Sequence, residues 1–313
     1  MASLLPVMNY PNGFASNVTI LGMPIVNTTS HNVFWVDSNR GNDGWKGTFQ
    51  HPWATVGRAT SFTQAGDTVM IADGHAETIS TATAFTSSTA GVKYVGLGAG
   101  TRRPLFTLDA TGSTFNITAN GNAFVNCQFV AGVAAVVSAF TLTTATGFAL
   151  DQCRFYKTSS YYYTYIVDTN ATANAADGLT ITGCNWTDSS TSVTSFVKCD
   201  ASQDGVQFHN NYINLGVGND LSSGFAVVNG SLLTNFFADG NRIRRLNTTT
   251  SGGGALVNTD GTTNTGIISR NYVQTAVAGT PLLTLVNSGF AFFENYLSGV
   301  ADTSGFILPV RDT

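Results

Sequence analysis

The chain has 313 residues and a formal charge of −4, with only 10 % charged residues against 33 glycines. So few charges exclude a fold of long surface helices, which need a stock of Glu, Lys and Arg, and favour strands joined by Gly, Asn, Thr and Ser turns. The acidic balance argues against nucleic acid as a partner, and no run reaches the ~20 apolar residues of a membrane helix.

Residues 1–33 read as an arm. Apolar "SLLPVM" and "TILGMPI", broken by Pro and Asn-Gly, cannot build a core and are expected to dock on a partner. No Lys or Arg occurs in the first 39 residues, so the positive start of a secretory leader is not expected and assembly in a cytoplasm is. Phe34 to Val36 predicts a strand and Asn39 to Gly47 a glycine-rich turn. Pro52 to Ala65 predicts a short helix with Trp53, Val56 and Ala59 or Thr60 on one face. Thr68 to Ala72 predicts the next strand. The helix is expected to cover the open end of a strand stack, whose unpaired backbone otherwise recruits other chains. His75 and Glu77 follow in "DGHAETI" and alternate onto one face. Such a pair can do acid/base work, but nothing adjacent serves a leaving group, so they are expected to hydrogen-bond locally beneath the helix.

From Ala123 onward the chain repeats. Fixing the third residue of "VNCQF", "DQCRF", "TGCNW", "HNNYI", "DGNRI", "SRNYV" and "FENYL" gives an anchor column: Cys127, Cys153, Cys184, Asn211, Asn241, Asn271 and Asn295. The gaps are 26, 31, 27, 30, 30 and 24 residues, averaging 28. Two residues after each anchor stands Phe129, Phe155, Trp186, Ile213, Ile243, Val273 or Leu297; shortly before it stands Phe124, Leu150, Ile181, Phe208, Ala238, Ile268 or Phe292. A further column joins Val167, Val197, Val228, Val257 and Val286. Short alternating strands, at least two per repeat, predict an all-β fold: a single-stranded right-handed parallel β-helix over residues 34–297 of about eight or nine turns. Residues 298–313 are left as a tail. The anchors are expected to stack as a ladder at a corner, the cysteines packing there as small apolar residues. No CxxC occurs, and neither metal nor cofactor is expected.

The order "VDSNRGNDGWKGTFQHPWATVGRA", then "AGDTVMIADGHAETI", resembles the entry segment of pectin-lyase-like right-handed β-helix proteins. With "YPNGF" in the arm, it is similar above all to β-helix proteins of tailed-bacteriophage particles. That resemblance implies a non-enzymatic virion protein, a capsid decoration, cement or head-fibre protein, and a homotrimer. Its partners would be the major capsid protein or another virion protein, and its place the particle surface, capsid before tail. The alternative is a tailspike or tail fibre that binds or depolymerises host surface glycan.

Many pectin-lyase-like proteins cut polysaccharides, so carboxylates matter. "NTDG" at Asn258 to Gly261 is similar to a polygalacturonase motif, but no Asp-Asp pair follows, the last histidine is His209 and the last lysine Lys198. Asp188, Asp200, Asp204, Asp239 and Asp260 occupy different columns, so no convergent site is expected. No catalytic residue is assigned. Candidate interface residues are Tyr161, Tyr163 and Tyr165, which alternation sends to one side of "SSYYYTYIV", and Arg242, Arg244 and Arg245 of "NRIRRL".

Overall fold

The computed structural model describes residues 18–20, 23–25, 32–157, 161–188, 195–215, 227–229, 232–245, 256–259, 264–275, 283–285 and 288–298. Its strands stack in parallel into three long sheets, the architecture of a right-handed parallel β-helix. Sheet 1 has ten strands, from Val33–Val36 to Ser288–Phe293. Sheet 2 has nine, from Ala76–Ile79 to Tyr296–Ser298, and sheet 3 has eight, from Thr86–Ser87 to Leu283–Leu285. An antiparallel pair, Val18–Ile20 with Met23–Ile25, lies in the arm.

From Asn126 onward each coil turns from sheet 1 to sheet 2 through one residue in the left-handed region. Asn126, Gln152, Gly183, Asn210, Gly240, Arg270 and Glu294, with φ between 50° and 67°, sit immediately before the seven anchors. A single positive φ swings the chain between sheets within two residues and drives the next side chain, the anchor, inward. Gly66, Gly91, Gly121, Gly147, Gly178 and Gly205 form a second corner column ahead of sheet 1, all with positive φ. Each glycine N–H donates to the following coil at 2.7–2.9 Å, and a Cβ there would be strained by its own backbone.

The columns flanking the anchors stack in register as expected. The valine column needs one correction: Val167, Val197, Val227 and Val257 pair in line with Leu283, so Val227 and not Val228 is the rung. Adjacent Val-Val residues make that one-residue shift invisible to spacing alone. Val286 lies outside the described residues.

Inside, the first coils pack rings. Tyr94 stacks on Phe124 at 4.6 Å and Phe129 on Phe155 at 5.2 Å, while Phe115 meets Phe124 and Phe129 edge-on at 5.4 and 5.3 Å. The later coils fill the same positions with Ile213, Ala238, Ile243, Ile268 and Val273, all buried.

At the entry, the helix spans only Val56–Thr60, shorter than Pro52 to Ala65. The Asp43 carboxylate accepts from the N–H groups of Ala54 and Thr55 and from the Thr55 hydroxyl, and Thr55 caps the helix by accepting from Arg58 N. These bonds hold the backbone extended through Thr55, so Trp53 pairs with Val36 as a bridge and its ring stacks on Phe34 at 4.8 Å.

Candidate binding surfaces

His75 and Glu77 form a clamp at the entry. Ser38 N donates to His75 Nδ1 at 3.0 Å, which leaves the proton of a neutral ring on Nε2, 3.1 Å from Glu77 Oε2. The same Oε2 accepts from Val56 N at 2.8 Å, at the start of the helix. Both ring nitrogens are engaged and the histidine is buried, so this pair ties strand, turn and helix together.

The ladder divides into two chemistries. Asn211, Asn241 and Asn271 each donate from Nδ2 to the Oδ1 of the next asparagine at 2.9–3.0 Å, ending on Asn295. Each Oδ1 also accepts from the backbone of the preceding anchor: Asn211 from Cys184 N, and so on to Asn295 from Asn271 N, at 2.9–3.0 Å. Each Nδ2 further reaches a carbonyl one coil back, those of Ile181, Phe208, Ala238 and Ile268. The thiols of Cys153 and Cys184 point at the equivalent carbonyls, Phe124 O at 3.4 Å and Leu150 O at 3.7 Å. Burial pushes the Cys127 and Cys184 thiols well above their ordinary pKa, and Cys199, in sheet 3 off the ladder, up to about 12. All four cysteines are free and buried, and Cys127, Cys184 and Cys199 are held as neutral thiols, poor nucleophiles.

The candidate interface residues do not come together. Tyr161 is exposed, but Tyr163 is fully buried and Tyr165 half-buried, with the Lys198 ammonium 5.1 Å from its ring centre. The tyrosine row therefore does not share one open side. These residues belong to the sheet 3 region, whereas Arg242 and Arg244 are exposed on sheet 2. The side chain of Arg245, and Asp260 altogether, lie outside the described residues.

The acidic residues stay dispersed. Asp239 binds Arg270 and Ser269 and is held below the ordinary carboxylate range by the guanidinium beside it. Asp204 accepts from Asn235 and Thr234, which lower its pKa. Asp188 is buried with Lys157 at 3.9 Å, and Asp200 and Asp168 share Lys198. Among the described residues no three His, Cys, Asp or Glu side chains converge.

Two surfaces escaped the sequence reading. At the entry end Trp45, Phe49 and Phe62 are 40 %, 52 % and 47 % exposed. They make three separate ring pairs, Phe49 with Trp35, Trp45 with His51 and Phe62 with Trp53, with Arg40 and Arg58 over the rings of Phe49 and Phe62. On sheet 2, Tyr212, Arg242, Tyr272 and Tyr296 stand in register on the outer face, and all four are exposed. The repeated Asn-Tyr of "NNYIN", "RNYVQ" and "ENYLS" is the sequence signal for that second surface.

No family model matches the chain, and no curated protein matches it either. Its solved-structure neighbours are pectin-lyase-like β-helix proteins. The pectin methylesterase from Aspergillus niger shares 12 % identity over 90 % of this chain and 91 % of that one, with a TM-score of 0.48. A rhamnogalacturonan lyase shares 13 % over 88 % and 89 %, TM-score 0.41. The GH136 lacto-N-biosidase from Eubacterium ramulus shares 10 % over 86 % and 68 %, TM-score 0.42. These neighbours correct the expectation of a non-enzyme: all three are enzymes, so the fold gives no ground for that exclusion. At such identities the likeness concerns fold and assigns no activity to this chain.

Proposed function

We propose that the chain is a structural protein on the surface of a tailed-phage particle, a decoration, cement or head-fibre protein docked through the entry end of its solenoid. The observation that carries the reading is the exposure of three large rings, Trp45, Phe49 and Phe62, within the entry segment that follows the arm. Large exposed rings beside guanidinium groups are the composition of interface hot spots, which supports this end as the docking end. Docking there would bury the rings and project the coils outward as a rigid rod. The partner in this reading is the major capsid protein or another virion protein, with self-association into a trimer as a further element.

The test is incorporation of the full chain into particles that lack it. Wild-type protein should bind purified particles, and Trp45→Ser/Phe49→Ser should bind at least about tenfold more weakly with unchanged circular dichroism, as loss of a hot-spot pair implies. Equal binding by the variant, or no binding by the wild type, overturns the reading.

A further inference from the structure

Three of the four cysteines occupy consecutive rungs of the inner corner. Gln128, Arg154 and Asn185 pair in register, so Cys127, Cys153 and Cys184, each one residue earlier, stand one above the next. Neighbouring rungs lie about 4.8 Å apart, inside the ~4.4–6.8 Å between Cα atoms that a disulfide spans. Closing one asks the two Cβ atoms to approach by less than about 1 Å. All three side chains are buried and free. The two steps of the column are not equal. The thiols of Cys153 and Cys184 are in hydrogen-bonding contact with each other, whereas Cys127 turns to backbone partners, Val125 O at 3.4 Å and Gly96.

We infer that Cys153 and Cys184 are a modification site, closing a disulfide that staples two consecutive coils of the solenoid. The co-reactant is a low-molecular-weight disulfide of the glutathione type. One protein thiol loses its proton and attacks a sulfur of that reagent, releasing one small thiolate and leaving a mixed disulfide. The second protein thiol, likewise deprotonated, attacks the mixed disulfide and displaces the other small thiolate. Two protein thiols are oxidised, one small disulfide is reduced to two small thiols, and both protons end on the departing sulfurs. Burial keeps the thiols protonated in the closed corner, so the exchange runs while the coil is forming or locally open.

The bond sits beside the weakest donors of the ladder. Cys153 reaches Phe124 O at 3.4 Å and Cys184 reaches Leu150 O at 3.7 Å, both through a weak S–H donor. The amide ladder starts one coil later, where Asn211 Oδ1 accepts from Cys184 N. A staple from Cys153 to Cys184 therefore carries firm register one coil back, from the amide half into the thiol half. It closes a loop of one coil, the 31-residue gap between two anchors, and so restricts the unfolded chain. Cys127 stays free because Cys153 takes one partner, and Cys199 stays free because it stands in sheet 3, off the column. The inference concerns the solenoid alone and is independent of what the chain docks on.

Refolding of the full chain from denaturant decides the matter, once with reduced glutathione alone and once with reduced and oxidised glutathione together, followed by thiol titration and non-reducing peptide mass spectrometry. The reduced sample should titrate all four cysteines in denaturant. The oxidised sample should lose two of them, yield one peptide pair linked through Cys153 and Cys184, and melt about 3–8 °C higher, a gain that reduction removes. Cys184→Ser should leave no linked pair and no gain, while Cys127→Ala and Cys199→Ala should keep both. The inference fails if all four thiols remain after oxidative refolding, if the link joins Cys127 to Cys153 or includes Cys199, or if the linked protein melts no higher than the reduced one.

Discussion

The two halves of the solenoid solve the same stacking problem by different means. In the first, up to Trp186, the core is a continuous set of interlocked rings and the inner corner carries thiols. In the second the columns flanking the anchors narrow, after Phe208, to Ala238, Ile243, Ile268 and Val273, while Phe236 and Phe290 keep rings in the interior, and the corner carries amides. An asparagine at the anchor does what a cysteine does, donating to a carbonyl one coil back, and adds an acceptor for the N–H of the preceding anchor. Where bulky rings already fix how one coil sits on the next, a weak donor suffices; where the core is slim, hydrogen bonds hold register. The second half is also the one that displays the tyrosines and arginines of sheet 2 in register.

The comparison can be broken from either side. Phe129→Ala should cost the first half most, about 3–5 kcal/mol by denaturant unfolding, because a large ring in contact with several others leaves a cavity. Asn241→Ala should cost about 2–4 kcal/mol, since Asn211 N loses its acceptor and Phe208 O its donor in a buried corner. Because coils contact only their neighbours, hydrogen exchange should rise around residues 208–271 in that variant and stay unchanged around Phe129.

A swap at the boundary sharpens the contrast. Asn211→Cys should destabilise by about 1–3 kcal/mol, since Cys184 N loses its partner. Cys184→Asn, which extends the ladder by one rung, should be neutral or stabilising; a loss as large as that of the reverse swap would show that the site selects thiols for shape. The buried cysteines should resist iodoacetamide at pH 8 in the native state and all react in denaturant, because burial holds Cys127, Cys184 and Cys199 protonated there.

The smallest effect concerns Asp239. Arg270 holds its folded pKa below the unfolded value, so its contribution is complete above the unfolded pKa and is lost as pH falls through the folded one. Asp239→Asn should therefore lower the melting temperature slightly at neutral pH and flatten its decline between about pH 5 and pH 2.

Much of this molecule could be read from its residues. The anchor column and its two apolar flanks specify the coil, because identical positions recur in chemistry as well as spacing. The glycine column was equally legible in "AGDTV", "AGVKY", "TGFAL", "DGLTI" and "DGVQF", and escaped because glycine is common throughout the chain. Tyr163 and Tyr165 defeated alternation. Tyr163 enters the core while Tyr165 ends beneath Lys198, an outcome set by neighbouring coils and not by its own strand. The aromatic entry patch was missed for another reason. Trp45, Phe49 and Phe62 belong to a turn, a loop and a helix end, and their exposure is decided by the folded entry and not by any local pattern.

Docking through the entry end is tested most directly by electron cryomicroscopy of the tailed-phage particles proposed to carry this chain. The account predicts rod-shaped density standing on the particle surface, with Trp45, Phe49 and Phe62 at its foot against another virion protein and the Tyr212 to Tyr296 column facing solvent. Density seated on sheet 2 or on the Tyr296–Ser298 end, or particles lacking the chain, would contradict it.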